Sequence, residues 1–470
     1  MVTGVLCLVT PKLMNSKNII IIGGGISGLA TLHGLKAKFA DRPDVKIILL
    51  EKADHLGGTA SSQHFPEGIF EQGPNGFLDS RQETLNLCEE LGLKQQLVRA
   101  ADAADKKFLL LGGQLEEFPS DLKSFLGFRP LPFWDKIRLP LEIFVRKGSD
   151  PEETVYEFGV RRFGERFTKL FLDPFVTGIY GGDARELNLR AAFPRLHELE
   201  QNYGSLFRAL MKLRQAKRGE GRQVSVTPKG KLTSFLRGMS AVGETIAAKY
   251  PDSIYLKHEV HPLEASGTGF KVEAGNASFY ADKVFLCVPA FVAAGLVRNV
   301  SIEFSGLLER IPYAPMAVVG LMYERRSFSH PPEGFGYLVP SYEQKGVIGV
   351  LFDSNMFPNR ASGDKVMIRL MLGGVNNPGI VREDHSAIRQ LAREELAERF
   401  QLKAQPLKEF CVVHPRAIPQ YDRSYARLLP ALEQESARQE NLFLVANYLK
   451  GVAFNDCVIN ARKAVLRCAI

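Results

Sequence analysis

Cysteine is scarce and scattered in this chain. The six are Cys7, Cys88, Cys287, Cys411, Cys457 and Cys468, and no two form a CxxC pair. That spacing excludes a thiolate zinc site and a thioredoxin-type redox pair, and it suits a reducing compartment. The nine histidines form no HExxH or other paired pattern, so no metal centre is expected. A GxSxG-type nucleophile motif is also missing. Long apolar runs are lacking: the longest, Val284 to Val297, is interrupted by Pro289. It falls short of the roughly 18–20 residues that cross a bilayer, and it reads as a buried strand, a turn and a helix. There are no internal repeats and no low-complexity tracts. The opening MVTGVLCLVTPKL is apolar but has no basic start and no clear cleavage site. Met1 and Met14, the latter just ahead of the first strand, are the two candidate starts of translation.

Hydrophobic residues make up 45% of the 470 positions and charged residues 24%, the balance of a globular protein. The length suggests two to four domains, or one large core with an inserted lobe. The net charge is +8, from 60 Lys+Arg against 52 Asp+Glu. With no nucleic-acid motif and no long basic run, that excess points to an anionic membrane surface or an acidic substrate, not to nucleic acid.

The strongest local signal is IIIIGGGISGLA. Asn18 to Ile22 reads as a buried parallel strand, Ile26 to about Phe39 as a helix, and Val45 to Leu50 as a second strand. Gly23, Gly25 and Gly28 fit GxGxxG at the turn between strand and helix. Gly23 permits the tight turn, Gly25 lets a pyrophosphate approach the backbone, and Gly28 lets helix and strand pack closely. The helix N-terminus offers free N–H groups and positive partial charge to the phosphates. Glu51 ends the second strand, where a carboxylate can bind ribose hydroxyls. After it, Gly57 and Gly58 can bring a second backbone loop against the same pyrophosphate. A nicotinamide dehydrogenase does not usually need such a loop, and no second GxGxxG occurs. The expected cofactor is therefore FAD, bound non-covalently, with oxygen or a quinone as oxidant. Near the C-terminus, an apolar strand runs into Gly451 and a helix begins near Val452. That helix N-terminus can face the flavin pyrimidine ring and stabilise negative charge there.

Between Lys106 and Lys217 the chain is rich in Phe, Leu, Arg and Lys with helical periods. Strand-and-helix patterns return from Lys229, with strands expected over Ile254 to Glu264 and Lys283 to Val288. The expected division is an FAD domain assembled from 14–80, 218–298 and 411–470. A substrate domain follows from 81–105 and 299–410, and a helical lobe from 106–217.

These motifs, with FEQGPNGF at 70–77, DPFVTGIYGGDARELNLRAAFP at 173–194, GFGYLVP at 334–340 and GVAFNDCV at 451–458, resemble the protoporphyrinogen oxidase family. The resemblance runs over nearly the whole chain from Asn18. The first glycine motifs are shared with amine oxidases and carotenoid desaturases, whereas the middle block and GVAFNDCV are far more specific. Coproporphyrinogen III oxidase uses the same fold and nearly the same motifs.

The resemblance implies a mixed α/β fold. It comprises a discontinuous, glutathione-reductase-like Rossmann FAD domain, a mixed-sheet substrate domain and a membrane-binding helical lobe. The implied activity is six-electron oxidation of a porphyrinogen to a porphyrin, with oxygen as acceptor and no dedicated base. FAD is implied on Gly23, Gly24, Gly25, Ile26, Ser27, Gly28, Glu51, Lys52, Gly58, Gly73, Pro74, Val260, Gly451, Val452 and Ala453. The macrocycle would lie by Phe335, Leu338 and Met371, with Gly178 offering its backbone and Lys107 meeting a propionate. At Lys107 an arginine is common in the family, so the charge is kept and the bidentate fork lost. Asn75 stands where an arginine can occur, Ala446 where glycine is commoner, and His414 where tryptophan is often found.

In the lobe, Phe125, Leu126, Phe128, Leu131, Phe133 and Trp134 alternate with Lys123, Arg129, Lys136 and Arg138. Such interleaving suits a non-spanning membrane contact. The expected location is the cytoplasm or the cytoplasmic face of a membrane, and a homodimer is plausible from the family.

Overall fold

The structure, a computed structural model, describes residues 16–217, 230–343 and 345–470. Met14 and residues 218–229 of the expected FAD domain lie outside these.

Strand β1 (Lys17–Ile22) carries four successive isoleucines, all buried. β-Branched side chains favour strand, and burial on both faces requires a parallel sheet covered on each side. β1 pairs in parallel with β2 (Val45–Leu50) through Ile19↔Ile47, and with Lys283–Leu286 through Ile20↔Val284. Ile254–Tyr255 and Leu442–Leu444 complete a five-stranded parallel sheet. Helix α1 (Ile26–Lys38) covers one face beside α3 (Phe454–Arg467). Ser27 meets Cys457, and Gly34 lies beside Val465. The two helices therefore run side by side in the same direction, with adjacent N-termini.

A seven-stranded mixed sheet forms the second layer. Its order is Lys408–Pro419, Tyr313–Glu324, β6 (Lys365–Gly373), β5 (Val347–Leu351), β4 (Gly336–Leu338), β3 (Lys107–Leu111) and Gln114–Glu117. Side chains alternate across β6. Val366, Ile368, Leu370 and Leu372 pack with Ile388, Ala392 and Leu396 of the helix His385–Phe400. Met367 and Met371 point the other way, among Phe70, Met316, Met322 and Ile348. That face meets the loops of the nucleotide domain.

Four expected boundaries are corrected. The strand expected over Ile254 to Glu264 shrinks to Ile254–Tyr255; Lys257 beyond it has φ +58°, which no strand tolerates. The lobe expected from 106 begins instead with the hairpin of β3 and Gln114–Glu117, which extends the mixed sheet, and its helices start at Leu122. Within 81–105, Leu87, Cys88, Leu91 and Leu93 are buried with Ile19, Leu29 and Phe285, so this part packs on the nucleotide core, whereas Val98, Ala100 and Ala104 pack with Met356 and Phe357 of the substrate domain. Residues 411–419 belong to the edge strand of the mixed sheet, paired with Tyr313–Glu324, and not to the nucleotide domain.

Candidate functional site

The GxGxxG turn is built by steric necessity. A Cβ at Gly28 would lie 1.9 Å from the Gly23 carbonyl oxygen, and one at Gly23 would lie 2.6 Å from the Cys287 carbonyl oxygen. Gly23 also has φ +104°, which side chains rarely adopt. Gly25 differs: a Cβ there meets nothing within 4 Å. It caps α1 without a side-chain hydrogen bond, and no acidic residue occupies the first turn over Ile26, Ser27 and Gly28. The free N–H groups and the open space together make a cradle that fits a pyrophosphate.

A second loop closes on the first. The Gly57 N–H donates to the Gly24 carbonyl at 2.9 Å, and a Cβ at Gly58 would sit 3.3 Å from Gly25 Cα. Glu51 Oε2 accepts from the Gly24 N–H at 2.6 Å, and Oε1 accepts from the Ala53 N–H at 2.8 Å. Each oxygen keeps a lone pair for a ribose hydroxyl. Lys52 beside it is exposed. Gly73, which Pro74 follows, presses on the same loop, since a Cβ at Gly73 would lie 2.1 Å from the Thr59 carbonyl oxygen. Val260 forms an isolated bridge to Ala274, in the loop after the strand that flanks β2.

Gly451, Val452 and Ala453 lead into α3. A Cβ at Gly451 would strike the Asp456 carboxylate at 2.2 Å, and the Ala453 N–H donates to Asp456 Oδ2 at 3.1 Å. Just upstream, the buried hydroxyls of Tyr421 and Tyr425 donate to the carbonyls of Asn447 and Tyr448. Sequence reasoning missed this pair of tyrosine clamps, and nothing in the local pattern marked them.

The five expected substrate residues are linked in pairs on neighbouring elements, while Phe335, Leu338 and Met371 pack into three separate apolar clusters. β4 pairs in parallel with β3, setting Gly336 opposite Lys107 and Leu338 opposite Leu109. The exposed Lys107 holds its Nζ 5.6 Å from the centroid of the Phe335 ring. Gly178, on α2 (Asp173–Tyr180), would place a Cβ 2.7 Å from Leu338 Cδ2. A Cβ at Gly349 would touch both Leu338 and Met371, at 3.1 and 3.5 Å. Asp173 fixes α2 against the end of β4 by accepting from the Ser341 N–H at 2.8 Å and its hydroxyl at 2.9 Å. Burial pushes its carboxyl pKa up, against those hydrogen bonds. A cleft of about 780 Å³ opens between α2 and the helix His385–Phe400, and none of these five residues lines it.

Nearby lies a buried charge network that the sequence reading also missed. Arg360 pairs with Glu71 at 2.8 Å, and Arg369 with Asp353 at 3.3 Å. Asn75 donates to Asp353 Oδ1 at 2.8 Å. The signal was present: an acid inside the apolar strand Gly68–Glu71, and an arginine within VMIRLML. Opposite charges at apolar positions of two elements are expected to meet.

A family described as flavin containing amine oxidoreductase matches residues 26–469. The protoporphyrinogen oxidase of Homo sapiens is 32% identical, over 96% of this chain and 98% of its own length. The chain belongs to the flavin-containing amine oxidoreductases and, among them, to the protoporphyrinogen oxidase family. Protoporphyrinogen oxidase 1, chloroplastic, of Arabidopsis thaliana is 30% identical, over 95% of this chain and 87% of its own. A solved structure from Exiguobacterium sp. 255-15 shares the fold with a TM-score of 0.81 at 23% identity, covering 96% of this chain and 98% of that one. Cyclohexylamine oxidase from Brevibacterium oxydans IH-35A shares it at 0.67 and 16%, with 96% and 98% covered. As a member of this family the chain is a flavin oxidoreductase.

Proposed function

We propose that this protein binds FAD non-covalently and oxidises protoporphyrinogen IX to protoporphyrin IX, with oxygen as acceptor. One observation carries the reading. Lys107 lies over the Phe335 ring, and Leu338 and Met371 both flank Gly349, on four neighbouring strands of the mixed sheet. A porphyrinogen is a broad apolar ring edged with propionates, and it needs apolar side chains and a cation. Bound FAD would supply the hydride acceptor and pass the electrons to oxygen.

The chain's own residues bind and orient. The α1 N-terminus and the Gly57–Gly58 loop hold the phosphates, and Glu51 holds the ribose. Phe335, Leu338 and Met371 stack on the ring and exclude water. Gly178 lets Leu338 pack against the α2 backbone. Burial pushes the Cys88 and Cys287 thiols up to about 12 and that of Cys457 to about 11, so none offers a thiolate for covalent attachment. Incubation with protoporphyrinogen and coproporphyrinogen, following porphyrin fluorescence and peroxide, tests the reading. Faster turnover of coproporphyrinogen would move the assignment to the sister activity.

Lys107 is assigned to a propionate. A charge-assisted contact contributes on the order of 1.5–3 kcal/mol, so Lys107→Ala should raise KM about tenfold or more. Its kcat should stay within a few-fold, because the contact is lost equally in ground and transition states. Lys107→Arg should keep most activity. An unchanged KM in Lys107→Ala would return this lysine to the solvated surface.

The helical lobe is assigned to a membrane surface. Among the described residues, no helix is long and apolar enough to cross a membrane. Yet Leu122, Phe133, Trp134 and Phe144 are highly exposed, at 73%, 66%, 78% and 79%. Apolar side chains so exposed in one short stretch mark an interaction surface. Phe133→Ser with Trp134→Ser should weaken co-sedimentation with anionic liposomes while leaving activity in solution largely intact. Full co-sedimentation of the double variant would remove this stretch from the assignment.

A further inference from the structure

Arg369 occupies an unusual place. Alternation along β6 sets it on the face of Met367 and Met371, among apolar neighbours, where it is 1% exposed. A guanidinium there must be paired. Its ion pair with Asp353, at 3.3 Å, balances the charge. Its remaining donors do something else. One terminal nitrogen reaches across the domain boundary to the carbonyl oxygens of Gly73, at 2.6 Å, and Glu71, at 3.0 Å. The Glu71 side chain is anchored separately by Arg360 at 2.8 Å, by the Ser62 hydroxyl at 2.6 Å and by the Met239 N–H at 3.1 Å. Asn75, at the far end of the same loop, bonds Asp353.

The backbone of residues 71–73 is thus tied to the substrate strand on one side. On its other side it presses on Thr59, next to Gly58, which lies against Gly25. A continuous line of contacts runs from Met371 through Arg369, Gly73 and Thr59 to the phosphate cradle. We propose that Arg369 is a positioning residue: it fixes the flavin-side loop 71–75 at a set distance from the ring-stacking face of β6. This rests on the reading that Gly73 and Pro74 lie against bound FAD. The flavin and the substrate are held by different sheets, and Arg369 is a side chain that ties the backbone of one directly to a strand of the other.

A purely structural ion pair and a positioning device respond differently to neutralisation. Glutamine at 369 is two atoms shorter than arginine and cannot reach the loop carbonyls. Arg369→Gln should therefore lower the melting temperature and raise the FAD dissociation constant at least about tenfold, the equivalent of about 1.4 kcal/mol. Adding Asp353→Asn removes the unpaired buried carboxylate, so the double variant should regain most of its thermal stability. It should not regain FAD affinity, and its kcat should stay depressed with KM little changed. Tyr337→Phe, which removes a 2.8 Å bond to Glu395 on the opposite face of the sheet, should lower stability without weakening FAD. Affinity is read from flavin fluorescence released on dilution of the holoprotein. An FAD dissociation constant within twofold of wild type in Arg369→Gln, or one restored together with stability in the double variant, would overturn the proposal. Wild-type protein that holds no FAD would instead overturn the reading beneath it.

Discussion

Gly25→Val should leave a folded protein stripped of FAD. Backbone angles at Gly25 are φ −71° and ψ 178°, which any residue adopts, and a Cβ there has no protein atom within 4 Å. The fold therefore loses nothing. What the new side chain fills is the space between the first turn of α1 and Gly58, where the pyrophosphate must meet the N–H groups. The expected loss is roughly a hundredfold or more in affinity, about 3 kcal/mol. Gly28→Ala would also lose the cofactor, but uninformatively, because its Cβ clashes with the Gly23 carbonyl at 1.9 Å and breaks the turn. Titration with FAD, alongside an unchanged far-ultraviolet circular dichroism spectrum, checks the prediction. Stoichiometric FAD on Gly25→Val would refute the phosphate cradle.

The second large effect belongs to the lobe. Arg162 is fully buried, between Glu142 and Glu200, which are fully buried too. Its Nε lies 2.6 Å from Glu200 Oε1, and one terminal nitrogen lies 2.6 Å from Glu142 Oε1. Glu142 in turn accepts from the Ser205 hydroxyl at 2.6 Å and the Leu206 N–H at 3.1 Å, so this one arginine joins three segments of the lobe. Arg162→Met leaves the buried Glu142 without its cation and Glu200 with Arg161 alone, 2.8 Å away. Breaking such a network costs about 3–5 kcal/mol, enough to unfold the lobe at moderate temperature. Burial works against ionisation of Glu200, but Arg161 and Arg162 overcome it and hold its carboxyl below the usual glutamate range. A depressed carboxylate pKa contributes stability that is fully present above the unfolded value and is lost as pH falls through the folded one. Wild-type stability should therefore decline on acidification below the ordinary glutamate range, and Arg162→Met, which keeps only Arg161 beside Glu200, should show a smaller decline. Urea denaturation across acidic pH measures both effects.

Legibility tracked how local the determinants were. β1, α1 and β2 were readable because four isoleucines, a glycine turn and a second apolar run each specify their own conformation. The domain boundaries were not. The hairpin at Lys107–Glu117 sits next to the lobe in sequence, yet it completes a sheet whose other strands begin only at Tyr313. Edge strands carry no local mark of which sheet they join. The site divided the same way. Glycines announce close backbone approach, whereas Arg369 gains its meaning only from the carbonyls of Glu71 and Gly73, 298 and 296 residues distant. Tyr421 and Tyr425 likewise gain their meaning only from the carbonyls of Asn447 and Tyr448, on the loop before Gly451.

Mixing the holoprotein with protoporphyrinogen IX without oxygen tests the central claim most directly. The account predicts that the yellow flavin absorbance is lost on mixing, and that admitting air restores it with the growth of porphyrin fluorescence and peroxide. A flavin that keeps its absorbance in the presence of excess porphyrinogen, in protein shown to hold stoichiometric FAD, would contradict it.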